Sequence, residues 1–100
     1  FKLPFSSIRQ KNVYYVYGIR TVDRNKIRNV LHSNNIYTDI HYPTPPYKQK
    51  ALKKLFNNQK FPISDEIHNN ILSLPISCSH NRKDIEKICK ILNNIKAWLV

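Results

Sequence analysis

Apolar residues recur along this chain at two spacings, and three segments have the spacing of strands. Residues 12–20 carry β-branched and aromatic side chains on both faces, which predicts a covered strand. Gly18 lies within this segment and indicates a bulge or the close approach of another group. Further strands are predicted over residues 36–42, which are followed by a proline-rich turn, and over residues 72–76.

Segments with helical spacing alternate with these strands. Asp23 is a candidate N-cap for the first helix, and Asn34 and Asn35 can end it because Asn tolerates the left-handed conformation. A short basic helix is predicted over residues 48–56. Another short helix is predicted to open at Pro62, which suits the first position of a helix.

The last helix has the clearest amphipathic pattern in the chain. Asn81 and Asp84 have the spacing of a capping box. The apolar stripe that follows consists of Ile85, Ile88, Cys89, Leu92 and Ile95. We therefore expect Cys89 to be a small buried side chain. The order of elements predicts an α+β fold, with a small antiparallel or mixed sheet of about three strands covered by helices.

Length and composition suit one domain with a strongly basic surface. The chain has 100 residues, of which 41% are hydrophobic, and a formal net charge of +11. This charge fits a solvated surface or an anionic partner, such as nucleic acid, a membrane surface or a phosphorylated small molecule. The basic residues are dispersed, which weakens the nucleic-acid interpretation. Their one dense cluster is Lys48, Lys50, Lys53 and Lys54.

Neither cysteine usage nor hydropathy points to export. Cys78 and Cys89 are too few for a disulfide framework and lack CxxC spacing. No basic and apolar leader is visible. No apolar run reaches the roughly 18 residues of a membrane span. A cytoplasmic location is therefore expected. Because the chain begins with Phe1, we also expect it to be a piece of a longer protein.

Common catalytic motifs do not occur in the sequence. A single glycine excludes the glycine-rich loops that cradle phosphates, and no nucleophile elbow or catalytic cysteine signature is found. The histidines are widely scattered, and Cys78 with His80 supplies two potential ligands, which are too few for a metal site. Most acidic residues have helix-end roles. The remaining carboxylate, Asp39, cannot alone supply the pair that glycoside hydrolysis needs.

The candidate functional segment lies around His41, where a predicted strand meets the proline-rich turn. Functional residues often occupy loops that a rigid scaffold holds. The alternative is a strand-end histidine that bonds locally, beside a Tyr42 that packs on the sheet. The residue pattern alone leaves both interpretations open.

Ordered motifs in the sequence resemble one enzyme family. Residues 36–46 read IYTDIHYPTPP, similar to the GI-x-T-x-IHYP-x-PP stretch of nucleotide-sugar aminotransferases, the DegT/DnrJ/EryC1/StrS family. Residues 61–64 (FPIS) resemble its FP-x helix opening, residues 71–76 (ILSLPI) its LSLP strand, and residues 13–20 (VYYVYGIR) the strand that opens its small domain. The resemblance covers about residues 3–97 and is strongest to the subgroup acting on dTDP-3-oxo-6-deoxyhexoses.

The resemblance implies the C-terminal small domain of a fold-type-I enzyme that uses pyridoxal 5'-phosphate (PLP) and works as a homodimer. Such enzymes transfer an amino group from an amino acid, usually glutamate, to a nucleotide-linked keto-deoxysugar. The subgroup serves the biosynthesis of lipopolysaccharide and other surface polysaccharides. The Schiff-base lysine belongs to a large domain outside these residues. No catalytic or cofactor-binding residue is therefore assigned in this chain.

The same resemblance assigns residues and boundaries. His41 and Tyr42 match the family's HY pair, which implies that they bind the hexose of the substrate. Residues 1–11 correspond to an entry segment from the missing large domain, residues 12–97 to the small domain, and residues 98–100 to a tail.

Two other classes of function stay open at the level of sequence. The net charge and the tyrosine-rich first strand suit a basic nucleic-acid-binding module, because aromatic rings on a sheet can stack with bases. No RNP-like motif or GXXG loop accompanies them. A purely structural or interaction domain is the other alternative.

Overall fold

The computed structural model describes residues 1–57 and 59–98, and its elements follow the predicted order with shorter strands. The strands are β1 (Tyr17–Arg20) and β2 (Ile71–Leu74), and the helices are α1 (Arg24–Ser33), α2 (Pro62–Asn70) and α3 (Arg82–Trp98). A 3₁₀ turn spans Pro46–Lys48. The α+β prediction is confirmed. Residues 99 and 100 of the expected tail lie outside the described residues.

The sheet is antiparallel and two-stranded, with Tyr17 opposite Leu74 and Gly18 opposite Ser73. The strand predicted over residues 36–42 is reduced to one bridge, in which Asp39 pairs with Ser73 on the far side of β2. A Cβ atom on Gly18 would lie 3.2 Å from Cδ1 of Ile71, so the predicted close approach at this glycine is confirmed.

The first strand begins later than the sequence predicts. Residues 12–16 are not part of β1, and Tyr14 has a φ of 47°, which interrupts the extended backbone. Val13 and Tyr15 are exposed. The ladder between the two strands ends at the pair of Tyr17 and Leu74.

The predicted basic helix over residues 48–56 is wrong. The 3₁₀ turn ends at Lys48, and consecutive turns follow it. A helix this short is marginal by itself. Lys50, Lys53 and Lys54 would also share one helical face, where like charges repel. Leu55 is exposed, so tertiary packing does not offset these costs.

The core lies between the sheet and the helices α1 and α3. Its buried members are Ile19, Ile27, Leu31, Ile36, Leu72, Ile88, Leu92 and Ile95. Fully burying one such side chain stabilises the fold by about 1.5–3 kcal/mol. On β2, Leu72 faces this core, and Ser73 faces the opposite side of the sheet because side chains alternate along a strand.

Cys89 is exposed, contrary to the expectation that it is buried. The apolar stripe of α3 is wider than the surface that covers it, so Ile88 and Leu92 take the core positions. Cys89 and Ile85 instead line an open apolar concavity of about 540 Å³ that also includes Leu3. We call this feature the apolar concavity.

Helix ends follow the predicted chemistry except at the start of α1. The capping box of α3 is confirmed, since the backbone N–H groups of Asn81 and Asp84 each donate to the other's side chain, at 2.9 and 3.1 Å. Asn35 follows α1 with a φ of 58°, in the left-handed region. Asp23 stands at the N-cap of α1 but makes no side-chain cap hydrogen bond.

We predict that Asn35→Val lowers the free energy of unfolding by about 1–2 kcal/mol, because a β-branched residue is strained at positive φ. Asn35→Gly is the matched control and should leave stability almost unchanged, since Gly adopts this conformation without strain. Urea unfolding of the two variants measures the difference. Equal stabilities would contradict the role given to Asn35.

Candidate functional site

The candidate site is built on the attachment of residue Asp39 to β2. The Asp39 N–H donates to the Ser73 carbonyl at 3.1 Å, and the Ser73 N–H donates to the Asp39 carbonyl at 2.8 Å. Because β2 is also paired with β1, this bridge fixes the segment that leads into His41 against a rigid support.

The imidazole of His41 is anchored by Ser73 and lies beside the carboxylate of Asp39. Its Nδ1 lies 2.9 Å from the Ser73 hydroxyl oxygen, and its Nε2 lies 3.8 Å from Oδ2 of Asp39. The other carboxylate oxygen of Asp39 accepts a hydrogen bond from the Ile40 N–H at 2.7 Å. The His41 side chain is 34% exposed, so the ring is anchored yet reachable from solvent.

His41, Asp39 and Ser73 line one wall of a shallow concavity of about 480 Å³, which we call the His41 concavity. Tyr15 and Tyr37 also line it, and both side chains are largely exposed. Imidazole, carboxylate and phenol groups can hydrogen-bond hydroxyl groups, and aromatic rings can pack against apolar faces of a ligand.

Tyr42 has a different position from that of His41. Its side chain is 66% exposed and does not line the His41 concavity. The two rings lie edge to face, with centroids 5.4 Å apart, and the peptide bond between them is cis. The structure therefore places His41 in the concavity and Tyr42 beside it.

Ser73 is the site residue that sequence reasoning missed. It is 4% exposed and lies in the apolar segment ILSLPI, where a single hydroxyl group is the only polar side chain. A buried hydroxyl needs a hydrogen-bond partner. That requirement was the signal that could have identified Ser73.

The loop after the site is fastened to α2 by Asp65. Its carboxylate accepts hydrogen bonds from the Tyr47 hydroxyl and the Lys48 ammonium. Both hydrogen bonds hold the pKa of Asp65 below its usual value, and the bond from Lys48 has the larger effect. The hydrogen bond to Asp65 raises the pKa of Lys48. Desolvation raises the pKa of Tyr47, and the hydrogen bond to Asp65 raises it further. The Tyr47 ring also packs on Phe61, with centroids 4.7 Å apart.

The other sequence candidates do not form a chemical cluster. Cys78 is exposed, and His80 makes a local contact of 3.3 Å with the Ser77 hydroxyl. Across residues 1–57 and 59–98, no three His, Cys, Asp or Glu side chains gather as a metal-binding group. Over the same residues, no helix combines the length and apolar character needed to cross a membrane.

Comparisons with known proteins give a consistent set of relatives. The profile of the DegT/DnrJ/EryC1/StrS aminotransferase family matches residues 2–93. The dTDP-3-amino-3,6-dideoxy-alpha-D-galactopyranose transaminase of Aneurinibacillus thermoaerophilus is 36% identical over 91 residues, covering 91% of this chain and 25% of the relative. The UDP-2-acetamido-2-deoxy-3-oxo-D-glucuronate aminotransferase of Pseudomonas aeruginosa is 30% identical with the same coverage. The chain thus spans about one quarter of these curated relatives.

A solved structure shows the same fold. The crystal structure of S. venezuelae DesV in complex with a ketimine intermediate superposes with a TM-score of 0.85, over 93% of this chain and 25% of that one. The sequence identity is 23%, so the likeness concerns the fold.

We predict that Asp65→Asn lowers stability at neutral pH and removes part of its acid dependence. A carboxylate with a depressed pKa stabilises the fold above its unfolded pKa of about 3.9, and this contribution is lost as the pH falls through the lower, folded pKa. The measurement is urea unfolding at about pH 7 and about pH 3. Glu66→Gln, an adjacent exposed change of the same kind, is the control. Parallel pH dependences for Asp65→Asn and the parent chain would refute the prediction.

Proposed function

This chain belongs to the DegT/DnrJ/EryC1/StrS aminotransferase family, and on that premise we propose that it is the C-terminal small domain of a nucleotide-sugar aminotransferase. The longer protein would transfer an amino group from an amino acid, usually glutamate, to a nucleotide-linked keto-deoxysugar. Because the chain spans about one quarter of its curated relatives, this activity is proposed for the longer protein.

The observation that carries the proposal is the arrangement of His41 in its concavity. An anchored but accessible imidazole lies beside a carboxylate, and two exposed tyrosine rings share the same surface. Such a mixture of hydrogen-bonding groups and ring faces suits a sugar, which presents hydroxyl groups around an apolar ring. We propose that His41 contacts the hexose and that the adjacent Tyr42 forms the edge of the same site.

The names of the relatives support a narrower substrate class. The relative with 36% identity is named for a dTDP-linked 3-amino-3,6-dideoxyhexose, and that with 30% for a UDP-linked 3-oxo sugar acid. Both names place the reacting group at C3. We therefore propose a dTDP-linked 3-oxo-6-deoxyhexose as the substrate. The proposed setting is the cytoplasmic synthesis of lipopolysaccharide or another surface polysaccharide.

The residues of the His41 concavity do not make a PLP site by themselves. A PLP enzyme needs a lysine for the Schiff base, and among the described residues no lysine lines this concavity. We propose that PLP is held by the rest of the longer protein, which would act as a homodimer. The cofactor supplies the carbanion chemistry when bound. The part of this chain is to bind and orient the sugar.

The apolar concavity supports contact with a further domain. Leu3 lines it, Ile85 and Cys89 lie open within it, and apolar surface of this extent is typical of an interaction face. We propose that residues 1–11 enter from the large domain, that residues 12–97 are the small domain, and that residues 98–100 are a tail. The large domain would then cover this face.

The test is a chimera in which this chain replaces the matching quarter of the Aneurinibacillus thermoaerophilus transaminase. We predict that His41→Ala in the chimera slows the half-reaction with the nucleotide sugar at least about tenfold, because a contact made only with the sugar is lost. The half-reaction with the amino donor should be nearly unchanged. Stopped-flow absorbance of the cofactor measures both half-reactions separately.

The control for this experiment is His80→Ala, which removes an exposed histidine outside the His41 concavity. Its two half-reactions should match those of the parent chimera. Equal losses in both half-reactions for His41→Ala would contradict the assignment of His41 to the sugar.

A further inference from the structure

We propose that Ser73 is a positioning residue, which holds the His41 ring so that Nε2–H of His41 and Oδ2 of Asp39 together bind one hydroxyl group of the ligand. The identity of that ligand as a nucleotide sugar rests on the proposed function. The orientation of the ring does not rest on it.

The buried hydroxyl of Ser73 determines which nitrogen of His41 carries the hydrogen. This side chain is 4% exposed, and among the described residues its hydroxyl has one hydrogen-bond partner, Nδ1 of His41 at 2.9 Å. A buried hydroxyl hydrogen that finds no acceptor costs about 1–3 kcal/mol. In a neutral imidazole the nitrogen without hydrogen is the acceptor. Ser73 therefore donates to Nδ1, and the ring carries its hydrogen on Nε2.

The carboxylate of Asp39 favours the same position of the hydrogen. Its Oδ2 lies 3.8 Å from Nε2, near enough to favour an N–H on that nitrogen. This distance is too long for a hydrogen bond. Within the described part of the chain, the Nε2–H donor therefore has no acceptor of its own. Its position in the His41 concavity makes it available to a ligand.

The spacing of these two atoms selects the chemistry of the ligand. Nε2–H is a donor and Oδ2 is an acceptor, and they are 3.8 Å apart. One oxygen atom at a normal hydrogen-bond distance of about 2.8 Å from each can bridge them. A hydroxyl group can accept from Nε2–H and donate to Oδ2 at once, whereas a keto oxygen can only accept. The pair therefore favours a sugar hydroxyl over the keto group.

His68 provides an internal comparison within the same chain. Its Nδ1 lies 2.8 Å from the Ser64 carbonyl oxygen, which can only accept a hydrogen bond, and 3.3 Å from the Ser64 hydroxyl oxygen, which can accept one as well. Nδ1 of His68 must therefore carry the hydrogen. The structure assigns opposite tautomers to His41 and His68.

The test is nitrogen-15 NMR of the histidine rings in the whole chain at about pH 9, where histidine side chains are ordinarily neutral. We expect His41 to carry its hydrogen on Nε2 and to show a hydrogen-bonded Nδ1, while His68 carries its hydrogen on Nδ1. A His41 ring protonated on Nδ1 would overturn the positioning role. This measurement needs no variant.

Variants separate positioning from a merely structural role. Ser73→Ala should move the Nδ1 resonance of His41 towards that of an unbonded ring nitrogen, and Ser73→Thr, which keeps the hydroxyl, should restore it. Ser64→Ala is the matched control, and it should leave His41 unchanged. Resonances of His41 that are the same in Ser73→Ala and the parent chain would overturn the proposal.

Titration of the same samples with a dTDP-linked hexose tests the ligand. Ser73→Ala should weaken binding about three- to tenfold, the effect of one neutral hydrogen bond. Unchanged affinity would overturn the link between Ser73 and the ligand. If the parent chain bound no nucleotide sugar, the hydroxyl-binding half of the proposal would fail, whereas the proposed function is decided separately by the half-reactions of the chimera. The tautomer of His41 measured by NMR would still decide whether Ser73 positions the ring.

Discussion

Asp39 and Ser73 exchange two backbone hydrogen bonds, and the geometry of the candidate site depends on that pair. On its other side, β2 is paired with β1. Leu72 faces the core while the next residue, Ser73, faces away from it, so one strand anchors the core and the site at once. A change in register of one residue would exchange these two faces and separate the hydroxyl from His41.

In the loop beyond the site, a charged contact rather than regular secondary structure holds the chain in place. Residues 50–57 form turns, yet the start of the loop is fastened to α2, where Tyr47 and Lys48 both donate to Asp65. Lys48 is thus a paired member of the basic cluster. Part of the positive charge is therefore used within the fold, which weakens the inference of an anionic partner from net charge alone.

The sequence predicts local features better than long-range ones. Asn35 could be assigned to a helix end because the chemistry that favours positive φ belongs to the residue itself. The helix expected over residues 48–56 does not form, because neighbouring lysines repel one another and Leu55 is not packed against a core. Whether Cys89 is buried depends on which elements pack against α3, and helical periodicity carries no information about that packing. The role of Ser73 could not be predicted, because its partner His41 lies 32 positions away in the sequence.

The central claim is that the His41 concavity recognises the sugar portion of a nucleotide sugar, while the cofactor chemistry belongs elsewhere. Chemical-shift mapping of the labelled chain with dTDP alone and with a dTDP-linked deoxyhexose tests it most directly. The account predicts that the backbone amides of Asp39, His41 and Ser73 respond to the sugar-linked ligand and not to dTDP alone. Equal responses to both compounds, or responses confined to Lys50, Lys53 and Lys54, would contradict it.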